Sequence, residues 1–148
     1  MLIWEKIHGH LALLGIALAL HPPLALRRAK RPSPRTRLAG YLATLTCLGT
    51  NIMGWVIYPA YRQELRRQLY LADLQMGQMF EIKEHLAWYA LALSLAGGVM
   101  MVACARQSSL RLVPQLRLVY GLSALMAMVS AALGIYLATM KGFDYGLP

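Results

Sequence analysis

The chain has 148 residues, of which 58% are apolar and only 14% charged, and it carries a formal net charge of +9. Its hydrophobic stretches are longer than a water-soluble domain normally carries. Two cysteines without metal-type spacing argue against a disulfide or zinc framework. No Ser-His-Asp set, glycine-rich phosphate loop or nucleotide motif is present, so an independent enzyme is not expected.

Four apolar stretches, roughly 7–26, 38–60, 82–105 and 114–140, reach the ~20 residues needed to cross hydrocarbon. They predict one membrane domain over 1–148, an all-α antiparallel four-helix bundle. The first stretch has its basic cluster after the apolar run and shows no small-residue cleavage site, so it reads as a retained helix. Arg27, Arg28, Lys30, Arg31, Arg35 and Arg37 follow it, and Arg106, Arg111 and Arg117 flank the last connection. These nine cations equal the whole net charge, while the other six bases and all six acids cancel elsewhere. The positive-inside rule therefore makes the loops 27–37 and 106–113 cytoplasmic and puts both termini outside. With topology accounting for the basic runs, no nucleic-acid partner is expected. The localisation is a multi-pass protein of a bacterial inner membrane or its equivalent.

Trp4 is an outer interfacial anchor for the first helix. His8 and His10 stand two residues apart and so point to different faces. His10 and His21 are three turns apart, share a face, and lie about 16 Å from one another along the axis. Pro22 and Pro23 are expected to kink or end this helix, which leaves His21 as an interfacial histidine beside the break. The linker, with Pro32 and Pro34, is read as extended against anionic headgroups.

The second helix holds Gly40, Gly49 and Gly54 with Thr44, Thr46, Thr50 and Asn51, small and hydroxylated residues suited to close helix contact. Trp55, Tyr58 and Tyr61 close it with an aromatic belt. In the outer connection 61–81, Leu65, Leu69, Ala72, Met76 and Phe80 recur at helical spacing among charges. Either helices two and three protrude beyond the membrane, or an amphipathic helix lies on its surface.

The third helix opens on Lys83-Glu-His85 and continues through Trp88 and Tyr89 into a small-residue stripe, Ala90, Ser94 and Gly98. The fourth repeats the device with Ser123, Ala127 and Ala131, and with Ser130, Gly134 and Ala138. Cys47 and Cys104 are read as small core residues.

The outer layer thus gathers His8, His10, Asn51, Trp55, Tyr58, His85, Trp88, Tyr89 and Tyr136. A histidine at the mouth of a membrane-length helix is a functional candidate by default. Haem iron is commonly held by histidine, and bundles place cofactors between facing helices. The expected axial pair is His10 and His85, with His8 as the alternative to His10. Asn51 and Tyr58 would line the ring, and Arg62, Lys83 and Lys141 would neutralise its propionates. A second site using His21 with Met100 or Met101 is the weaker option. Two other classes compete: a carboxylate-histidine metal site from Glu5, His8, Glu81, Glu84 and His85, and a structural or assembly subunit without cofactor.

The histidine-bearing first helix, the Tyr-Pro-Ala-Tyr-Arg junction at 58–62 and Lys-Glu-His-Leu at 83–86 give a layout that resembles small four-helix b-type cytochrome membrane subunits. The resemblance covers helix number and histidine depth. The family pattern pairs two histidines about a dozen residues apart on each of two helices, whereas here only helix one carries such a pair. The resemblance implies haem b, with quinone as a further candidate ligand. The implied role is electron transfer within a respiratory or photosynthetic complex, the partners being other membrane redox subunits or a periplasmic carrier.

Overall fold

The computed structural model describes residues 2–29, 31–107 and 112–144. The central part of the predicted 106–113 loop and the side chain of Lys141 lie outside the described residues. All described regular structure is helical: α1 (Leu2–Ala25), α2 (Pro34–Tyr61), a π-helical turn (Arg62–Arg66), α3 (Arg67–Ala72), α4 (Leu74–Gln107) and α5 (Val113–Asp144). Four of these, α1, α2, α4 and α5, are long and apolar enough to cross a membrane.

Local chemistry sets the ends. Ser33 caps α2, its hydroxyl accepting from the Thr36 N–H at 3.1 Å, and Pro34 takes the first helical position, where its missing N–H costs nothing. α1 runs through Pro22 and Pro23 and ends two residues later, at Ala25, the two prolines leaving the Leu18 and Ala19 carbonyls without their helical N–H donors. Pro59 lies inside α2, and the π-helical turn begins three residues later, a local insertion of the kind that absorbs a broken ladder. The helical path then continues to Ala72 and reverses at Asp73, whose backbone is extended and whose Oδ1 accepts from the Gln75 N–H at 2.8 Å. Over 61–81 the chain forms a helical hairpin in which α3 folds back on α4. At 34 residues α4 is about 51 Å long, well beyond a hydrocarbon core of ~30 Å.

The hairpin is closed by its own small core. Leu69, Phe80 and Leu137 are buried together, with Met76 and Met79 against them. A Cβ added at Gly77 would stand 2.6 Å from the Tyr70 ring, so only glycine lets α3 fold down on α4. Arg66 pairs with Glu81 across the reversal and lies over the Tyr70 ring at 5.6 Å.

The long helices pack in a ring: α1 on α2 and α5, and α4 on α2 and α5. Their interior mixes small and hydroxylated residues with a few large ones, Met101, Leu116 and Tyr120 among them. Ala43, Ala90, Ser94, Ser123 and Ala124 are buried, whereas Leu45, Trp55, Val56, Val99, Leu118 and Ile135 are all more than half exposed. This inverts the usual partition of a water-soluble domain. Tyr120 is the largest fully buried side chain. Its hydroxyl donates to the Gly40 carbonyl at 2.9 Å, and the Thr44 hydroxyl beside it reaches the Ser94 carbonyl at 3.0 Å. Ser123 donates to the Ala90 carbonyl at 2.8 Å and Ser130 to the Lys83 carbonyl at 3.1 Å.

The Tyr120 ring lies in a slot that only glycines leave open: an added Cβ would stand 3.0 Å from its hydroxyl at Gly40 and 2.9 Å from its ring at Gly97. Replacing Tyr120 by Phe removes one hydrogen bond and is expected to cost about 1 kcal/mol. Gly97→Leu overfills the slot and is expected to cost more, about 1–3 kcal/mol. Thermal unfolding in detergent measures both, and a Gly97→Leu protein as stable as the parent would show that the slot is not closely packed.

Candidate functional site

The end of the fold that carries the α2–α4 hairpin holds the sequence-predicted outer layer, and the structure splits that layer by facing. His10, Trp55, His85, Trp88, Tyr89 and Tyr136 are exposed on outward faces, whereas His8, Asn51 and Tyr58 are half-buried. His10 and His85 are therefore not brought together within the chain. They stand on α1 and α4, which share no extensive contact. His21 is exposed while Met101 is fully buried beside Gly40, so these two are not brought together; the alternative, Met100, is half-buried.

The two outward histidines share one local geometry. His10 Nδ1 is 2.7 Å from the Lys6 carbonyl and His85 Nδ1 is 2.8 Å from the Glu81 carbonyl, each four residues back on its own helix. A carbonyl only accepts, so each Nδ1 donates, and it is Nε2 that carries the lone pair whenever the ring is neutral. His10 borders an apolar groove of about 440 Å³ lined by Ile3, Lys6, Ile7, Leu11 and Leu14. His85 has the exposed Ile82, Trp88 and Tyr89 around it.

The inward side is different in chemistry. The His8 ring lies on Gly54 of α2, where an added Cβ would be 3.2 Å from Cε1. The Thr50 carbonyl lies beside the ring, yet Nδ1 is sealed from water with no hydrogen bond closed to it. Lys83 runs along Gly134 of α5 and holds its ammonium 5.3 Å from the Phe80 ring centroid. Its neighbour Glu84 faces the Tyr58 hydroxyl on α2. Asn51 spends its amide on its own helix, donating to the Cys47 carbonyl at 2.9 Å, which suits helix packing better than ligand binding. Cys47 and Cys104 are free thiols.

Lys83 thus turns into the bundle, away from the outward faces of His10 and His85. Arg62 is exposed and lines an open groove of about 520 Å³ with Gln63, Arg66, Arg67 and Tyr70. The Glu81 carboxylate beside the Tyr70 hydroxyl raises the Tyr70 pKa above the usual tyrosine range. The carboxylate-histidine set is dispersed: Glu81 is held by Arg66, Glu84 faces Tyr58, His8 points in and His85 points out. Among the described residues no group of three or more His, Cys, Asp or Glu side chains could hold a metal ion.

His8 and Lys83 continue the buried register of their helices, a register that only the structure reveals. Gly15, Ala19 and Pro22 are the buried positions of α1, at spacings of four and three, and Leu26 just beyond the helix is buried four residues on. Seven residues back from Gly15 is His8. On α4 the buried run Ala90, Ser94, Gly97, Met101 and Cys104 has the same rhythm, and seven residues back from Ala90 is Lys83.

Comparison with protein-family models, curated proteins and solved structures gives no match.

The facing of the histidines is open to chemical test. Diethyl pyrocarbonate, read by mass spectrometry in detergent, is expected to modify His10 and His85 several-fold faster than His8. Modification of His8 first would mean that α1 is rotated about its axis.

Proposed function

We propose that this protein is an integral membrane redox subunit, an antiparallel four-helix bundle with both termini outside, that carries haem b on histidine at its outward faces. The observation that carries this reading is the common geometry of His10 and His85, each with Nδ1 bonded to a main-chain carbonyl and Nε2 free. Metal-ligating histidines are oriented in this way by their second nitrogen. The residues present fit one side of a haem: the groove beside His10 is apolar, and Lys6 at its edge is placed to neutralise a propionate. His10 and His85 sit on separate faces, so a haem held by either would need its further ligand from another polypeptide. That fits a subunit of a larger redox complex. Bound haem supplies one-electron transfer, and the chain's own part is to orient the imidazoles and to keep water off the ring through its apolar groove.

The membrane placement rests on the four long apolar helices and their inverted burial. The antiparallel arrangement is supported by contacts that run in opposite chain order. Gly15 meets Thr46 and Gly54 meets His8, while Thr44 reaches Ser94 and Gly40 lies against Met101. The orientation follows from the charge of the connections.

Membranes from cells making the protein with ample haem are expected to give a Soret band and a reduced-minus-oxidised difference spectrum. Haem content should fall several-fold in His10→Ala or His85→Ala and stay near the parent level in His8→Ala and His21→Ala. Absence of a Soret band in membranes and in purified protein alike would overturn the haem reading. A reporter fused after Pro148 is expected outside, and one inserted at Ser33 inside. The reverse pattern would overturn the orientation without touching the haem.

A further inference from the structure

Three arginines crowd the π-helical turn that follows Pro59. Arg62, Arg66 and Arg67 line one open groove of about 520 Å³ together with Gln63 and Tyr70. The turn itself brings them to one side. In an α-helix, residues five apart stand about 140° from one another around the axis, so Arg67 would leave the face of Arg62. A π-helical turn repeats at five residues, and over Arg62–Arg66 it carries Arg67 back toward that face. The three differ in what holds them. Arg66 is half-buried, paired with Glu81 and seated over the Tyr70 ring at 5.6 Å, so its guanidinium is fixed and its charge answered. Arg62 and Arg67 are exposed, and the one ion pair among the described residues is Arg66–Glu81. The groove therefore keeps two cations beyond the one that Glu81 answers.

A guanidinium grips an anion through paired N–H donors, and a phosphate has oxygens enough to meet more than one such fork. A carboxylate fills a single fork, so two convergent guanidiniums favour phosphate. Depth points the same way. Counted from Leu38, where the apolar run of α2 starts, Arg62 stands about 36 Å along the helix, about 6 Å past a hydrocarbon core of ~30 Å. That is the layer of headgroup phosphates. We propose that this groove binds a phosphate group, carried by an anionic lipid or by a soluble phosphate ester, with Arg62 and Arg67 clasping its oxygens beside the fixed Arg66. The lipid source rests on the membrane placement proposed above, which the reporter fusions test separately. Haem plays no part in it.

Titration calorimetry of the purified protein in neutral detergent tests the groove with three probes: short-chain phosphatidylglycerol, soluble glycerol phosphate, and a neutral diacylglycerol of the same chain length. Saturable binding of a phosphate probe is expected, and none of the neutral one. Binding of the lipid probe alone makes the source a lipid headgroup, whereas glycerol phosphate binding as tightly makes it a soluble ester. Arg62→Gln and Arg67→Gln should each weaken binding about tenfold or more, the loss of charge-assisted hydrogen bonds. Both side chains are exposed, so neither change disturbs packing, and Arg66 is left in place because it ties the hairpin. The double variant Arg67→Gln, Gln68→Arg keeps the net charge and turns one guanidinium about 100° around α3. Its binding should stay as weak as that of Arg67→Gln. The double variant Arg27→Gln, Arg28→Gln, beyond the far end of α1, should bind like the parent. Equal binding of the neutral diacylglycerol, or no binding of either phosphate probe, overturns the site. So does parental affinity in the Arg67→Gln, Gln68→Arg protein, since charge alone would then suffice.

Discussion

Everything in this fold depends on bringing helix backbones close enough for hydroxyls to reach carbonyls on neighbouring helices. The Tyr120 hydroxyl on the Gly40 carbonyl is the centre of that arrangement. Because Tyr120 serves Gly40, the single Thr44 proton is available to the Ser94 carbonyl, and three helices are joined through two hydroxyl groups. The geometry requires that Gly40 and Gly97 have no side chain, since either Cβ would enter the ring's space. In the lipid setting proposed here, close packing and such bonds replace the hydrophobic effect between helices, because lipid is as apolar as leucine.

The same constraint explains why many large apolar residues lie outside while small ones line the close helix contacts. It also explains the polar end. Once the helices are drawn together around Tyr120, their inward positions are fixed along their whole length, and the residues that continue that register toward the hairpin are His8 and Lys83. The outward positions of the same helices carry His10 and His85, whose rings are steadied only by their own helix. The outward histidines are exposed, whereas His8 and Lys83 turn toward neighbouring helices.

The hairpin sets the limit of this end. Its closure depends on Gly77 under Tyr70 and on the small core of Leu69, Phe80 and Leu137, with the Arg66–Glu81 pair as a second tie. Phe80 belongs to that core and also lies under the Lys83 ammonium, so the hairpin and the interior basic layer share a residue.

The sequence by itself determined the number and approximate place of the long apolar helices, because length and hydropathy are properties of each segment alone. It also determined that His8 and His10 face apart, since two residues on any helix are about 200° from one another. It was enough to mark Ser94, Gly98, Ser123 and Gly134 as contact positions, and these do meet neighbouring helices. Which histidine faces in was decided only by tertiary structure. A helix that is apolar on every side has no polar face to orient it, so its rotation is set by where a neighbour offers space. Gly54 opposite His8 offers that space, and the buried spacing of four and three residues, not the share of polar residues, records it. The inward turn of Lys83 was hidden for the same reason: a long cationic side chain near a helix end can reach water in several directions, and only Gly134 on the facing helix selects the one it takes.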